Sequence, residues 1–220
     1  MAGKTMSSGT RKGWAPRAFP TDPAAAERLG DWLQEPEGRG LDAVGLDFSG
    51  ADLSGGDFTG SWFTDATLVG ANLAEADFYR ADAQGADLSG ANLTRASLVR
   101  VNFDDALLRG ATLDEADFVK ASLYDVDASG ASFRGARLMG ASFLDVNLCG
   151  ADLTNAVVKE NSFRVKLDDR VLLNGFSGSI FGPVELVTEE GSQEIGGDDL
   201  ECWIRERGGK VKVIPRKADG

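Results

Sequence analysis

The stretch ADLSGANLTRASLV, residues 86–99, says one phrase three times: a small residue, a polar one, Leu, then two variable positions. A period of five belongs to neither regular element. A helix would smear Leu88, Leu93 and Leu98 around its circumference. A simple strand would throw successive leucines onto opposite faces. The frame extends both ways without a gap, from Leu41 to Glu160, a run of 120 residues or 24 units. At the centre of every unit, position i, the residue is apolar, from Ala43 and Phe48 to Leu153 and Val158. Two positions earlier it is nearly always Ala, and between the two stands mostly Asp, Asn, Ser or Thr.

This pattern is satisfied if each unit forms one side of a polygonal coil. The large residue at i and the small one at i−2 then point inward, and i−1, i+1 and i+2 point outward. Four sides close a square, so a coil takes 20 residues and the run makes about six coils. Strand-like stacking would give a rod roughly 29 Å long, its backbone groups paired between successive coils.

The consensus A-[DNST]-[LF]-x-x, as in ADLSG, ANLTR and ADFVK, is similar to that of the pentapeptide repeat proteins. The resemblance implies a right-handed quadrilateral β-helix, and hence an all-β solenoid. It also implies candidate partners, because some members bind DNA gyrase or topoisomerase IV and protect it from quinolones or other gyrase poisons. The run carries no insertion, so the projecting loops of many quinolone-resistance members are missing, and the loop-free members are the relevant model.

An open solenoid needs its ends covered. Before the repeat, TDPAAAERLGDWLQEP predicts a capping helix: Asp22 as N-cap, Pro23 at the first helical position, Pro36 beyond the end. Leu29, Trp32 and Leu33 would face the first coil. After Glu160, NSFRV keeps Phe163 in place but KLDDR breaks the rule. Irregular strands are expected over 171–195, with a turn near Glu190, Gly191 and Ser192. A helix capped by Asp198 and stopped by Gly208 follows, then a final strand in KVKVIP. The expected organisation is a flexible tail (1–20), the capping helix (21–40), the β-helix (41–165) and a small C-terminal α+β appendage (166–220). That appendage departs from the plain dimerisation helix of the quinolone-resistance members. It serves either as a cap or as an interaction module, with homodimerisation one of its candidate uses.

Composition narrows the chemistry. The formal charge is −12, from 35 acidic and 23 basic side chains, which argues against direct binding of nucleic acid and for basic partners. There is no histidine, which removes the commonest general base and the usual zinc sites. Two cysteines, Cys149 and Cys202, are too few for a disulfide framework, so a reducing cytoplasm is the expected compartment. Neither a signal peptide nor a membrane span is expected, and no cofactor motif is present. No catalytic and no metal residues are assigned.

What varies is the outer surface. Along one side the i+2 column includes Asp65, Asp105, Asp125 and Asp145, an acidic ladder. On the next side it is glycine throughout, from Gly50 to Gly150, and on the fourth it contains Arg80, Arg100 and Lys120, a basic ladder. Regular carboxylates along an axis present charge as a duplex does, so the rod is a candidate DNA mimic for a basic DNA-binding saddle. The other reading is a scaffold or regulatory adaptor in which Trp203, Arg205 and Arg207 recognise a protein partner. Lys210, Lys212, Arg216 and Lys217 extend that basic end.

Overall fold

The computed structural model describes residues 13–36 and 38–215. From Asp42 to Leu172, residues 20 apart in sequence pair in parallel, as in Asp87↔Leu107 and Leu107↔Asp127. The unit of that pairing is short. The amide of Leu88 donates to Leu107 O at 2.7 Å, and the amide of Leu107 donates back to Ala86 O at 2.9 Å. The chain then turns: Ala91 N donates to Leu88 O at 3.0 Å, with Gly90 at φ +66° in the third position of the turn. Positive φ at that position alone is the geometry of a type II turn. A bridge of a few residues, a corner and another bridge make a β-solenoid, and the period of five is its side.

The core follows the sequence pattern. Every central residue from Ala43 to Val158 is buried, and alanines at i−2 leave room for them. Like residues stack between coils, as in Phe58 on Phe78, with ring centres 5.3 Å apart, and Phe143 on Phe163 at 5.6 Å. Two polar residues enter the inward column. Ser61 is fully buried, and its Oγ accepts from the amide of Leu41 at 2.9 Å. Asn161 is also fully buried and donates to Ala141 O at 3.0 Å.

The elements beyond this lattice are α1 (Pro23–Gln34), β1 (Ser122–Tyr124), β2 (Ser142–Asn147), β3 (Val157–Leu167), β4 (Ser177–Phe181), β5 (Val184–Thr188), β6 (Gly191–Ile195), α2 (Gly197–Glu206) and β7 (Lys210–Val213). In α1 the Asp22 carboxylate accepts from Ala25 N at 2.8 Å, and Pro23 opens the first turn. Its face of Leu29, Trp32 and Leu33 is buried, with Trp32 stacked on Phe58 at 5.7 Å.

Residues 13–20 correct the expectation of a free tail. Asp52 N donates to Ala18 O at 3.0 Å, and Arg17 N donates to Asp52 O at 2.9 Å. In later coils these two groups of the equivalent residue bond to the coil before, as Asn72 N does to Ala51 O at 2.9 Å. The 13–20 strap therefore takes the place of a preceding rung. Trp14 anchors it, its Nε1 donating to Ser54 O at 2.8 Å and its ring meeting the edge of Phe58 at 5.6 Å. The rest of the expected tail, 1–12, lies outside the described residues.

The ladder also runs past Val165. β2 and β3 pair 20 residues apart as far as Leu144↔Arg164, then 19 apart from Val146↔Val165. KLDDR breaks the frame because of this one-residue slip, and Asp152↔Leu172 restores the spacing of 20. β4 lies on β3 and β7 lies on β4, both parallel, so the last strand occupies the next coil's position. Between them the chain makes the antiparallel β5–β6 hairpin and α2. The hairpin turns at Glu189 and Glu190, one residue before the expected place. The N-cap of α2 is Gly196, not Asp198. Asp198 and Asp199 instead occupy the first turn, where carboxylates suit the positive end of the helix dipole.

Candidate functional site

The outer surface is built column by column from the repeat. At i−1, Asp and Asn side chains accept from the amide two residues on, as Asp47 does from Ser49 at 2.8 Å and Asp87 from Ser89 at 2.9 Å. Local bonds of this kind fix each corner. The same column is also stitched between coils: Asn72 Nδ2 donates to Asp52 Oδ1 at 3.0 Å, and Asn92 Nδ2 to Asn72 Oδ1 at 3.1 Å. Burial pushes the Asp52 carboxyl up, but bonds from Ser54 and Asn72 outweigh it and hold the group below its ordinary value.

At i+2 the backbone is left-handed throughout. Among the described residues twelve other than glycine adopt positive φ, and all twelve stand in this column, from Asp65 to Glu160. Eleven are charged and one is Asn155. A left-handed L-residue costs roughly 1 kcal/mol or more, so these corners are the expensive way to build a turn that glycine makes freely.

Five arginines of the repeat tie neighbouring coils together. Arg95 Nε reaches Glu115 at 2.8 Å, Arg109 Nε reaches Asp127 at 2.6 Å, Arg134 reaches Asp152 at 3.0 Å and Arg137 reaches Asp117 at 3.1 Å. Arg164 Nε donates to Asp145 Oδ1 at 2.8 Å, with a second short bond from Nη2 to Oδ2. Burial raises the Asp127 carboxyl, yet bonds from Arg109 and Ser129 bring it below its ordinary value. The bond and charge of Arg95 hold Glu115 low in the same way. Sequence reasoning missed these pairs; the signal is opposite charge at separations of 18 to 20 residues.

The acidic ladder is therefore uneven. Asp65, Asp105, Asp125 and Asp145 all lie exposed on one side of the rod. Asp145 is neutralised by Arg164, and Asp105 accepts from Gln84 Nε2 at 3.0 Å. Asp125 has no hydrogen bond or ion pair from its carboxylate among the described residues. No group of these carboxylates, nor any other among the described residues, is arranged to hold a metal ion.

Arg80, Arg100 and Lys120 are exposed in successive coils, and none meets a carboxylate among the described residues. Arg80 lies over the Tyr79 ring, 5.3 Å from its centre. At the C-terminal end, Trp203 is half-buried, with the Arg207 guanidinium 3.9 Å over its ring. Arg207 also bonds Asp169 at 2.8 Å, and all three C-terminal candidates are engaged within the chain. Arg205 is exposed, and its Nη2 contacts Cys202 Sγ at 3.0 Å. Arg216 and Lys217 lie outside the described residues. Cys149 is half-buried, and burial pushes its thiol up, away from the reactive thiolate.

The family model for pentapeptide repeats matches this chain in 8 copies, over residues 39–68, 57–95, 86–125, 96–135 and 116–155. The chain belongs to the pentapeptide repeat family. Among solved structures it is similar to HetL, a pentapeptide repeat protein involved in heterocyst differentiation regulation from the cyanobacterium Nostoc. The identity is 28%, the TM-score 0.61, and the match covers 65% of this chain and 63% of HetL. A pentapeptide repeat protein from the cyanobacterium Cyanothece is 26% identical over 48% of this chain and 62% of its own, with a TM-score of 0.34. QnrB1, a plasmid-mediated fluoroquinolone resistance protein, is 18% identical over 64% of this chain and 75% of its own, with a TM-score of 0.38. The chain thus spans less than two thirds of the first two. None of the curated proteins matches. No helix among the described residues is long and apolar enough to cross a membrane.

Proposed function

We propose that the protein is a non-enzymatic binding protein, an acidic rod that mimics duplex DNA and occupies the basic DNA-binding saddle of DNA gyrase or topoisomerase IV. One observation carries this: pairing at 20 residues through coil after coil, from Asp42 to Arg137, sets carboxylates in register along an axis. Their step is about 4.8 Å, on the scale of the charge spacing along the helix axis for one strand of DNA, about 3.4 Å. The repeat from 41 to 165 holds 19 acidic and 9 basic side chains, so the field belongs to the rod itself. Asp65, Asp105 and Asp125 are its exposed contributors, with Asp145 reduced by Arg164. The same reading takes the solenoid as a right-handed quadrilateral helix of about six coils, with α1 closing its first end, working in the cytoplasm beside its partner. The test is a gyrase supercoiling assay with and without ciprofloxacin. Inhibition of supercoiling, or relief of the drug, at micromolar excess is expected; a protein that does neither is not a gyrase ligand.

An adaptor role for the C-terminal region, homodimerisation included, is favoured by a different observation. Among the described residues β6 pairs only with β5, and Gly191, Ser192, Gln193 and Glu194 are all exposed. An unpaired edge is a template for another strand. Gln193→Pro should abolish a partner or dimer bound there while leaving gyrase engagement by the rod intact.

A further inference from the structure

The basic ladder stands apart from every other arginine of the repeat. Arg95, Arg109, Arg134, Arg137 and Arg164 each find a carboxylate on an adjacent coil. Among the positions 18 to 20 residues from Arg80, Arg100 and Lys120 the one acid is Asp82, 18 before Arg100. The adjacent Asp77 and Asp117 are already committed, one to the Tyr79 amide at 2.8 Å and the other to the Val119 amide and Arg137. Asp82, just around the corner, accepts from Gln84 N at 3.2 Å and Asn102 Nδ2 at 3.1 Å.

Beside the three cations the i+1 column of the same side runs Tyr79, Val99, Val119 and Met139, all partly exposed. A row of cations with no carboxylate partner among the described residues, next to an apolar row on a protein of charge −12, is an amphipathic stripe of the opposite sign to its surroundings. Three cations side by side repel one another, and each sits at a left-handed corner, φ +56° to +59°, that glycine would hold more cheaply.

We propose that this stripe is a second interaction surface, distinct from the acidic one, which seats an acidic amphipathic helix of a partner protein along the rod axis. The spacing fits. Two rungs from Arg80 to Lys120 are about 9.6 Å. Seven residues of helix rise about 10.5 Å, so carboxylates at the first, fourth and eighth helical positions follow the three cations. Apolar residues one position to the side then cover Val99, Val119 and Met139, the grooved mode of helix recognition. The charge of the rod as a whole disfavours a phosphate backbone as the occupant.

The test uses a fluorescent helical peptide with glutamates at that spacing and leucines beside them, and a second peptide of the same composition in scrambled order. Anisotropy is read against the full chain and against the triple variant Arg80→Gly, Arg100→Gly, Lys120→Gly. Glycine suits each corner, so the variant folds, and a circular dichroism melt no lower than that of the parent verifies it. Three exposed pairs together lead to a loss of about ten-fold in affinity for the patterned peptide in the variant, with binding weakened by salt. Equal binding of the two peptides, or equal binding by the two proteins, overturns the proposal. Tighter binding of a duplex oligonucleotide or of anionic vesicles than of the patterned peptide overturns the choice of occupant. None of these outcomes depends on gyrase.

Discussion

The Asn161 amide donates to the Ala141 carbonyl at 3.0 Å, from a position where the two preceding coils on that side place alanine. Its Nδ2 also meets Leu138 O, and its Oδ1 accepts from Lys159 N at 2.8 Å. The β3–β4 register slips between Val158 and Asn161, and at this point the side chain ties β3 back to the coil before it through Leu138 O and Ala141 O. Asn161→Ala removes three hydrogen bonds made from a fully buried position and should cost about 1–3 kcal/mol, read as a lower urea midpoint at unchanged slope. Asn161→Asp should cost more, because a carboxylate cannot donate to either carbonyl.

Phe58 joins the rod to everything that precedes it. Its ring contacts Trp14, Trp32, Phe63 and Phe78 within 5.3 to 5.7 Å. Phe58→Ala is expected to cost about 3–5 kcal/mol and to red-shift tryptophan emission as Trp14 and Trp32 lose their packing. An unshifted spectrum would show that the strap and α1 are held by other contacts.

The corners make a prediction with opposite signs. Gly130 has φ +66° and open space where a methyl group would stand, so Gly130→Ala carries strain alone, a loss of about 1 kcal/mol. Asp125 has φ +53°, and Asp125→Gly should raise stability by about 0.5–1 kcal/mol. Thermal melts measure both. Under the DNA-mimic reading the second variant is more stable and a weaker gyrase ligand.

Acid should loosen the rod. The carboxyls of Asp47, Asp52, Asp127 and Asp168 are held below their ordinary value of 3.8 in the folded chain. A depressed folded value means stability that is complete above the ordinary value and is lost as pH falls through the folded one. Urea midpoints should therefore be level down to about pH 5 and fall below about pH 4. Arg109→Ala removes the partner that helps to hold Asp127 low and should flatten the fall.

The sequence displayed the solenoid because each unit is stabilised locally: Leu88 fills, Ala86 makes room, Asp87 bonds the Ser89 amide. α1 was legible for similar reasons, its cap and apolar face lying within one stretch. Features that depend on another coil were not. Arg164 finds Asp145 only after the β2–β3 slip, and KLDDR obscured the continuation to Val171 and Leu173 for the same cause. The strap of 13–20 has no period at all; it is placed by Trp14 and by Asp52's backbone. The basic ladder was visible as a column, but its lack of internal partners became a fact only beside five arginines that have them.

The bonds between Ala18 and Asp52 have a consequence for assembly. Each coil offers the next an unfinished row of amides and carbonyls, and a stack of that kind has no intrinsic reason to stop at one molecule. The strap fills part of that row at one end with the chain's own backbone, as Arg28 Nε does for Asp42 O at 3.2 Å. It thus acts as a terminator of templated growth. Removing residues 1–18 should turn a discrete rod into one that adds copies end to end, lengthening into filaments visible by light scattering.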